Sequence, residues 1–250
     1  MRNICLNYVK PEIEIYATPP RWIPSHLIFA NYKDVLLNSS IPINFFNSLV
    51  VGLSSTFMAL VLGGAAGYAF ARFNFRGSKI SSLFMLLSQL LPLTVLMIPI
   101  YFMMLNMGLI DTKIGLAAAH LILTLPLVAW MAKGYFKTIP KELEEAAMID
   151  GCNHLQALTK IILPLTLPGI AATGVYAFIC SWNEFVLANI LTNSDISRTL
   201  PIGITEFSVL FRVNWGDTMA AAAIITIPVI IVFLVLQKYF ITGLAQGAIK

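Results

Sequence analysis

The sequence has 250 residues, 58% of them hydrophobic and only 11% charged, with a formal net charge of +4. Soluble domains carry roughly a quarter charged residues, so a single soluble core is excluded and a polytopic membrane protein is indicated. The small positive charge is distributed as membrane orientation requires and leaves no footprint for nucleic acid.

The first 43 residues are polar to mixed, with no apolar core that would serve as a cleavable signal peptide. Thr18–Pro24 reads as extended or turn-rich. Asn44–Ala71 is the first uncharged run long enough to span a bilayer. Its Gly63, Gly64 and Gly67 suit close approach of a neighbouring helix. The stretch Gly63–Phe70 is glycine-rich but lacks the lysine of a phosphate loop, and no GxxxxGK[ST] pattern occurs anywhere. Ile80–Ile110 is a second uncharged run, long enough for tilt, a kink or a partly interfacial end. Ile114–Ala132 has His120 as its sole titratable group, expected to be hydrogen-bonded in helix packing rather than to carry protons. Ile161–Asn183 is uncharged and is followed at once by Glu184, and Thr218–Gln237 completes five spans. The runs are continuous, without period-two alternation, so helices are expected rather than barrel strands. Pro92, Pro99, Pro126, Pro168 and Pro228 fall inside them and predict kinked helices whose freed carbonyls are satisfied by neighbours. Cys5, Cys152 and Cys180 are far apart with no CxxC, so neither a disulfide framework nor a metal site is expected. No cofactor is expected.

Basic residues orient the chain. Arg72, Arg76, Lys79, Lys133, Lys137, Lys141, Lys160, Lys238 and Lys250 fall on one side, against Lys33, Lys113, Arg198 and Arg212 near the membrane on the other. The richer side is predicted to be cytoplasmic. That places the C-terminus inside, residues 1–43 outside as a tail, and the loop Asn189–Asp217 outside.

The longest cytoplasmic loop, about residues 137–162, breaks the apolar pattern. Pro140 suits a first helical turn, and Glu142, Glu144 and Glu145 complement the helix dipole. Leu143, Ala146, Ala147 and Asp150 share one helical face. Gly151 suits a C-terminal turn of positive φ, and Asn153 suits the cap of a second helix. Two short helices joined at a glycine are predicted. The alanines beside Glu145 offer a shallow face for another protein, and a solvated amphipathic loop is the competing reading.

At the opposite end of the fourth span, Trp182, Asn183 and Glu184 interrupt an apolar run. Aromatic, amide and carboxylate groups suit a sugar, and an acid at membrane depth is a functional candidate. An interfacial anchor explains Trp182 as well, and the competing reading of Glu184 is contact with water or a hydrogen bond to a neighbouring loop. Tyr176 and Gln89 either line a substrate pathway or make interhelical hydrogen bonds.

The run Glu145-Ala146-Ala147, three residues, Gly151, nine residues, then Ile161-x-Leu163-Pro164 resembles the EAA motif of binding-protein-dependent ABC importer permeases. The segments Lys10–Pro24, Ser181–Phe185, Thr199–Ile204 and Gln237–Lys250 are similar to the maltose-type (MalG-like) carbohydrate branch of that family. The resemblance implies an all-α type I ABC importer transmembrane domain over about residues 44–250. It implies coupling contacts to a separate ATPase dimer at Glu145, Ala146, Ala147, Asp150 and Gly151. It further implies alternating access, a MalF-like second permease, a solute-binding protein facing the outer loop, a sugar-like solute and a bacterial inner membrane. The family carries another membrane helix before Lys10, and Met1–Val9 is too short and polar to supply it. Two other readings are an ion-driven secondary transporter, against which the nearly bare midplanes count, and a non-transporting scaffold.

Overall fold

The apolar runs become long helices. The structure, a computed structural model, describes residue 25, residues 28–209 and residues 212–247; the Lys10–Pro24 segment lies outside them. Helix α1 (Ala30–Asn38) falls in the region expected as tail, and α2 (Ile41–Arg72) follows. Next come α3 (Ser78–Ser88), α4 (Leu93–Asn106), α5 (Lys113–Thr138), α6 (Glu142–Ile149) and α7 (His154–Ala157). A π-helical turn, Leu158–Ile162, joins α7 to α8 (Leu163–Trp182). The chain then forms α9 (Val186–Leu191), α10 (Leu200–Gly203), a 3-10 turn at Ile204–Phe207, strands β1 (Ser208–Val209) and β2 (Arg212–Val213), and α11 (Trp215–Gly247).

Helices α2 and α5, the continuous stretch His154–Trp182, and Trp215–Val235 are long and apolar enough to cross a membrane. The run expected as a second span is broken instead: α3 and α4 meet at 102°. Pro92 has no N–H to continue α3 and sits in an extended conformation, φ −60° and ψ 135°, and a residue before proline is pushed away from helix. The one departure from an all-helical chain among the described residues is the antiparallel ribbon pairing Ser208 with Val213 and Val209 with Arg212. Its β-branched valines favour extended backbone.

The centre of the bundle is α2 packed on α5, with α8 against both and α11 against α8. Glycine sets the closeness of the α2–α5 seam. A Cβ on Gly67 would lie 2.8 Å from the Ala129 carbonyl oxygen and 2.8 Å from the Lys133 amide nitrogen, and one on Gly63 would lie 2.7 Å from Val128 Cγ1. The expectation that Gly64 also serves packing is corrected: a Cβ there meets nothing within 4 Å, because it points off the seam.

Contacts define two ends. At one, the C-termini of α2 and α5 meet α6 and α7. At the other, side chains of α2 hold the connection between α9 and α10. Asn47 donates to the carbonyls of Asp195 (3.0 Å) and Arg198 (2.8 Å), and Ser48 accepts from the Leu200 amide (2.7 Å). Asp111, in the left-handed region at φ 59°, accepts from the Ser197 hydroxyl and from the amides of Asn193 (2.8 Å) and Ser194 (3.0 Å). The Ser197 bond first, then the two amides, holds this carboxyl well below the usual carboxylate range.

Two outcomes are expected. Gly67→Ala destabilises the protein by about 1–3 kcal/mol, because backbone cannot yield as a side-chain tip does. Gly64→Ala is neutral or stabilising by up to about 1 kcal/mol through helix propensity; thermal unfolding in detergent compares the two. Asp111→Ala lowers Tm by a few degrees at neutral pH. Since Asp111 is depressed in the folded state, its stabilisation is present above the ordinary carboxylate pKa of about 3.9 and is lost as pH falls below it. The gap between wild type and variant therefore closes in acid, which unfolding curves across pH will show.

Candidate coupling site

The polar segment between α5 and α8 folds as its residues dictate. Three acids occupy the first turn of α6, where the dipole favours them. Gly151 ends the helix at φ +89°, a conformation costly for other residues. Asn153 then opens α7 with a reciprocal capping box: its side chain accepts from the Gln156 amide (2.8 Å), and its own amide donates to the Gln156 side chain (3.0 Å).

An α6 of eight residues is too short to persist alone. It is fixed by Glu144, which is buried. Arg72 Nε lies 2.9 Å from Glu144 Oε2, and the Tyr68 hydroxyl donates to Glu144 Oε1. His154 Nδ1, on a side chain 60% exposed, lies 3.6 Å from the same Oε1. Arg72 Nη1 also donates to the carbonyl of Ile139 at the end of α5 (3.1 Å). The Tyr68 ring meets Phe136 and Phe73 edge-on, and Phe73 meets the His154 ring. One carboxylate thereby joins α2, α6 and α7, and its arginine adds α5.

This arrangement divides the α6 surface. Glu145, Ala146, Asp150 and Gly151 are exposed, as expected of a free face. Ala147 is corrected: it is 3% exposed, because it follows Glu144 by three residues and turns inward with it. The sequence marks Glu144 only as an acid suited to the helix dipole and Arg72 only as an orienting charge, and it leaves Tyr68 and His154 unmarked. It also leaves unmarked Ile149, an isoleucine 87% exposed at the tip of α6. Two signals existed: Tyr68 and Arg72 are four apart on one face of a span's last turn, and Ile149 is a large apolar residue beside acids in a polar loop.

The other predicted residues do not converge. Trp182, read as a pathway residue or interfacial anchor, is 1% exposed in the core. It stacks on Phe178 with ring centroids 5.5 Å apart, and its Nε1 donates to the Ile225 carbonyl at 3.3 Å. Gln89 is exposed at the α3–α4 break and donates to the Leu123 carbonyl at 3.0 Å. These two share a logic. Leu123 and Ile225 each lie three residues before a proline, Pro126 and Pro228. A proline kink opens the preceding turn, and a donor from another element meets the loosened carbonyl. Asn183 is exposed and donates back to the Ile179 carbonyl of its own helix. Tyr176 is half-buried beside the core cluster of Ala59, Leu121, Val128 and Ala177.

Glu184 is held by the start of α9 and by His120. Its oxygens accept from the Leu187 (2.8 Å) and Ala188 (3.0 Å) amides in the first turn of α9, and Oε2 lies 3.2 Å from His120 Nε2. His120 Nδ1 is 2.7 Å from the Ser181 hydroxyl. The histidine, wholly buried, is therefore a packing group between α5 and α8. A separate polar cavity of about 430 Å³ opens at this end, lined by Ser40, Asn44, Asn189, Asn193, Arg198 and Glu206 among others.

Comparison with known proteins agrees with the helix order. The chain is 34% identical over 241 residues to the diacetylchitobiose uptake system permease protein DasC of Streptomyces coelicolor, covering 96% of this chain and 87% of that one. It is 34% identical over 259 residues to the trehalose/maltose transport system permease protein MalG of Thermococcus litoralis, covering 100% and 93%. A crystallised bacterial ABC transporter involved in import of the acidic polysaccharide alginate shares the fold, with a TM-score of 0.78 at 24% identity over 95% of this chain and 89% of that one. Residues 44–246 match the binding-protein-dependent transport system inner membrane component family. The chain belongs to that family and is a multi-pass permease subunit rather than an enzyme.

Proposed function

We propose that this chain is one permease subunit of an ATP-driven importer of a sugar or sugar-like solute, working by alternating access. The observation that carries the reading is the α6 knuckle. Glu145, Ala146, Ile149 and Asp150 stand free at the end of a bundle that fixes the helix from behind. Ala146 leaves room for close approach, Ile149 supplies an apolar anchor, and Glu145 and Asp150 supply charge for a basic partner surface. A short helix held rigidly, with its outer face unspent, is suited to docking on a separate motor. The chain itself carries no phosphate loop.

The knuckle end is assigned to the cytoplasm by its excess of Lys and Arg, which puts the C-terminus inside. The loop of residues 189–217 and its polar cavity then face a solute-binding protein outside. A second, MalF-like permease completes the pathway, with specificity shared among these subunits. The sugar class is drawn from the relatives, named for diacetylchitobiose and for trehalose and maltose uptake. An ion-driven mechanism draws no support from His120 and Glu184, whose polar atoms are engaged with Ser181, the α9 amides and each other.

Glu145→Lys or Ile149→Asp, each on the free face, is expected to weaken binding of the partner ATPase by about thirtyfold, the size of an interface hot spot of about 2 kcal/mol. Copurification from detergent followed by titration measures it, and unchanged affinity in both variants refutes docking at the knuckle. Proteoliposomes bearing the assembled complex should take up radiolabelled maltose, trehalose or diacetylchitobiose only with ATP inside. Uptake by the permeases without ATPase subunits would favour the ion-driven alternative.

A further inference from the structure

We propose that Glu144 is the positioning residue that transmits motion of the knuckle into the bundle, through a clasp with Arg72 and Tyr68, while Glu145 beside it only docks. This rests on the docking reading above and assigns a role to residues that take no part in docking.

The geometry separates the two acids. Glu145 is exposed and has no side-chain hydrogen bond or ion pair among the described residues, whereas the side chains of Glu144 and Arg72 are 7% and 5% exposed. Oε1 of Glu144 accepts from the Tyr68 hydroxyl, and Oε2 is in ion-pair contact with Arg72 Nε at 2.9 Å. Arg72 in turn reaches the last carbonyl region of α5 at Ile139. Pulling α6 away would leave a carboxylate and a guanidinium unpaired in a buried site, and uncompensated buried charge is strongly disfavoured. The clasp therefore does not slip. A partner that displaces α6 moves the ends of α2 and α5 with it. Those two helices share the glycine seam at Gly63 and Gly67, and α2 at its far end holds the 195–200 connection through Asn47 and Ser48. Displacement at the knuckle is carried along one rigid pair to the opposite mouth. A greasy contact in place of the clasp would hold α6 in place at rest yet let it slide under load, since apolar packing has no direction.

The test uses the full complex of both permeases and the ATPase dimer in nanodiscs, with Cys5, Cys152 and Cys180 of this chain replaced by serine. A single reporter cysteine is placed by Ile196→Cys, at a site 70% exposed at the end opposite α6. Its maleimide labelling rate is compared with and without ATP. With the clasp intact, the rate should change by at least about fivefold on ATP binding, the low end of ordinary allosteric coupling. Arg72→Gln and Glu144→Gln should keep the ATPase bound and hydrolysing while the response drops below about twofold. Because a lone buried charge can prevent folding, the deciding variant is Arg72→Met with Glu144→Leu, an apolar replacement of a kind that preserves stability. The exchange Arg72→Glu with Glu144→Arg should recover part of the response. A full ATP response in the apolar variant overturns the proposal, and so does loss of the ATPase from it, which would make Glu144 a docking residue. Failure of the docking reading has a different signature: the ATPase does not copurify even with the unaltered clasp.

Discussion

Hydrocarbon offers no water to a backbone carbonyl or amide that has lost its partner, and the rest of this structure is arranged around that constraint. Two of the long helices are kinked by Pro126 and Pro228, and each loosened carbonyl draws in a side chain from another element. Gln89 and Trp182 serve the turns loosened by Pro126 and Pro228. Glu184 serves the otherwise free amides in the first turn of α9. Asn47 serves two carbonyls of the connection that follows it. Arg72 serves the carbonyl at the end of α5. Many of the polar groups that the bundle holds are spent on its own backbone, Asn47, Ser48, Thr124, Thr166, Thr173 and Thr192 among them.

This changes how a polar residue in a membrane chain is read. An acid or a tryptophan within or beside a span is a functional candidate by default, yet here a structural demand by itself accounts for both, Trp182 in the core against Ile225 and Glu184 at the α9 amides and His120. The informative polar residues are those left over once the backbone has been satisfied. Around α6 that remainder includes Glu142, Glu145 and Asp150, beside an alanine and an isoleucine that no described residue covers.

The sequence showed the helices and the knuckle because both are written in local chemistry. Uncharged runs of sufficient length admit little but helices in a bilayer, and the Gly151 turn and the Asn153 cap depend on residues only a few positions apart. The break between α3 and α4 was half visible, since Pro92 was noted but the direction of the chain after it depends on what packs there. What stayed hidden was every pairing between distant segments. Nothing near Glu144 distinguishes it from Glu142 or Glu145; only the approach of Arg72 and Tyr68, over seventy residues upstream, decides which acid is buried. Likewise Gly64 and Gly67 look alike until the position of α5 is known. Ala147 was misread for the same reason, as a face was inferred without knowing which side of it the bundle would claim.

Helix geometry explains why docking and transmission can be separate functions of adjacent residues. Successive side chains on an α-helix point about 100° apart, so neighbours rarely share a surface. An acid turned inward and the next turned outward give α6 two faces with different chemistries. In the proposed docking, the outer face has to release and re-form contacts with another protein, which favours exposed charge of modest worth. In the proposed transmission, the inner face must not release, which a buried ion pair such as Arg72–Glu144, costly to separate, provides. Under the proposed coupling, a helix with both acids outward would bind a motor without gripping the spans, and one with both inward would grip the spans but offer a motor little charge to hold.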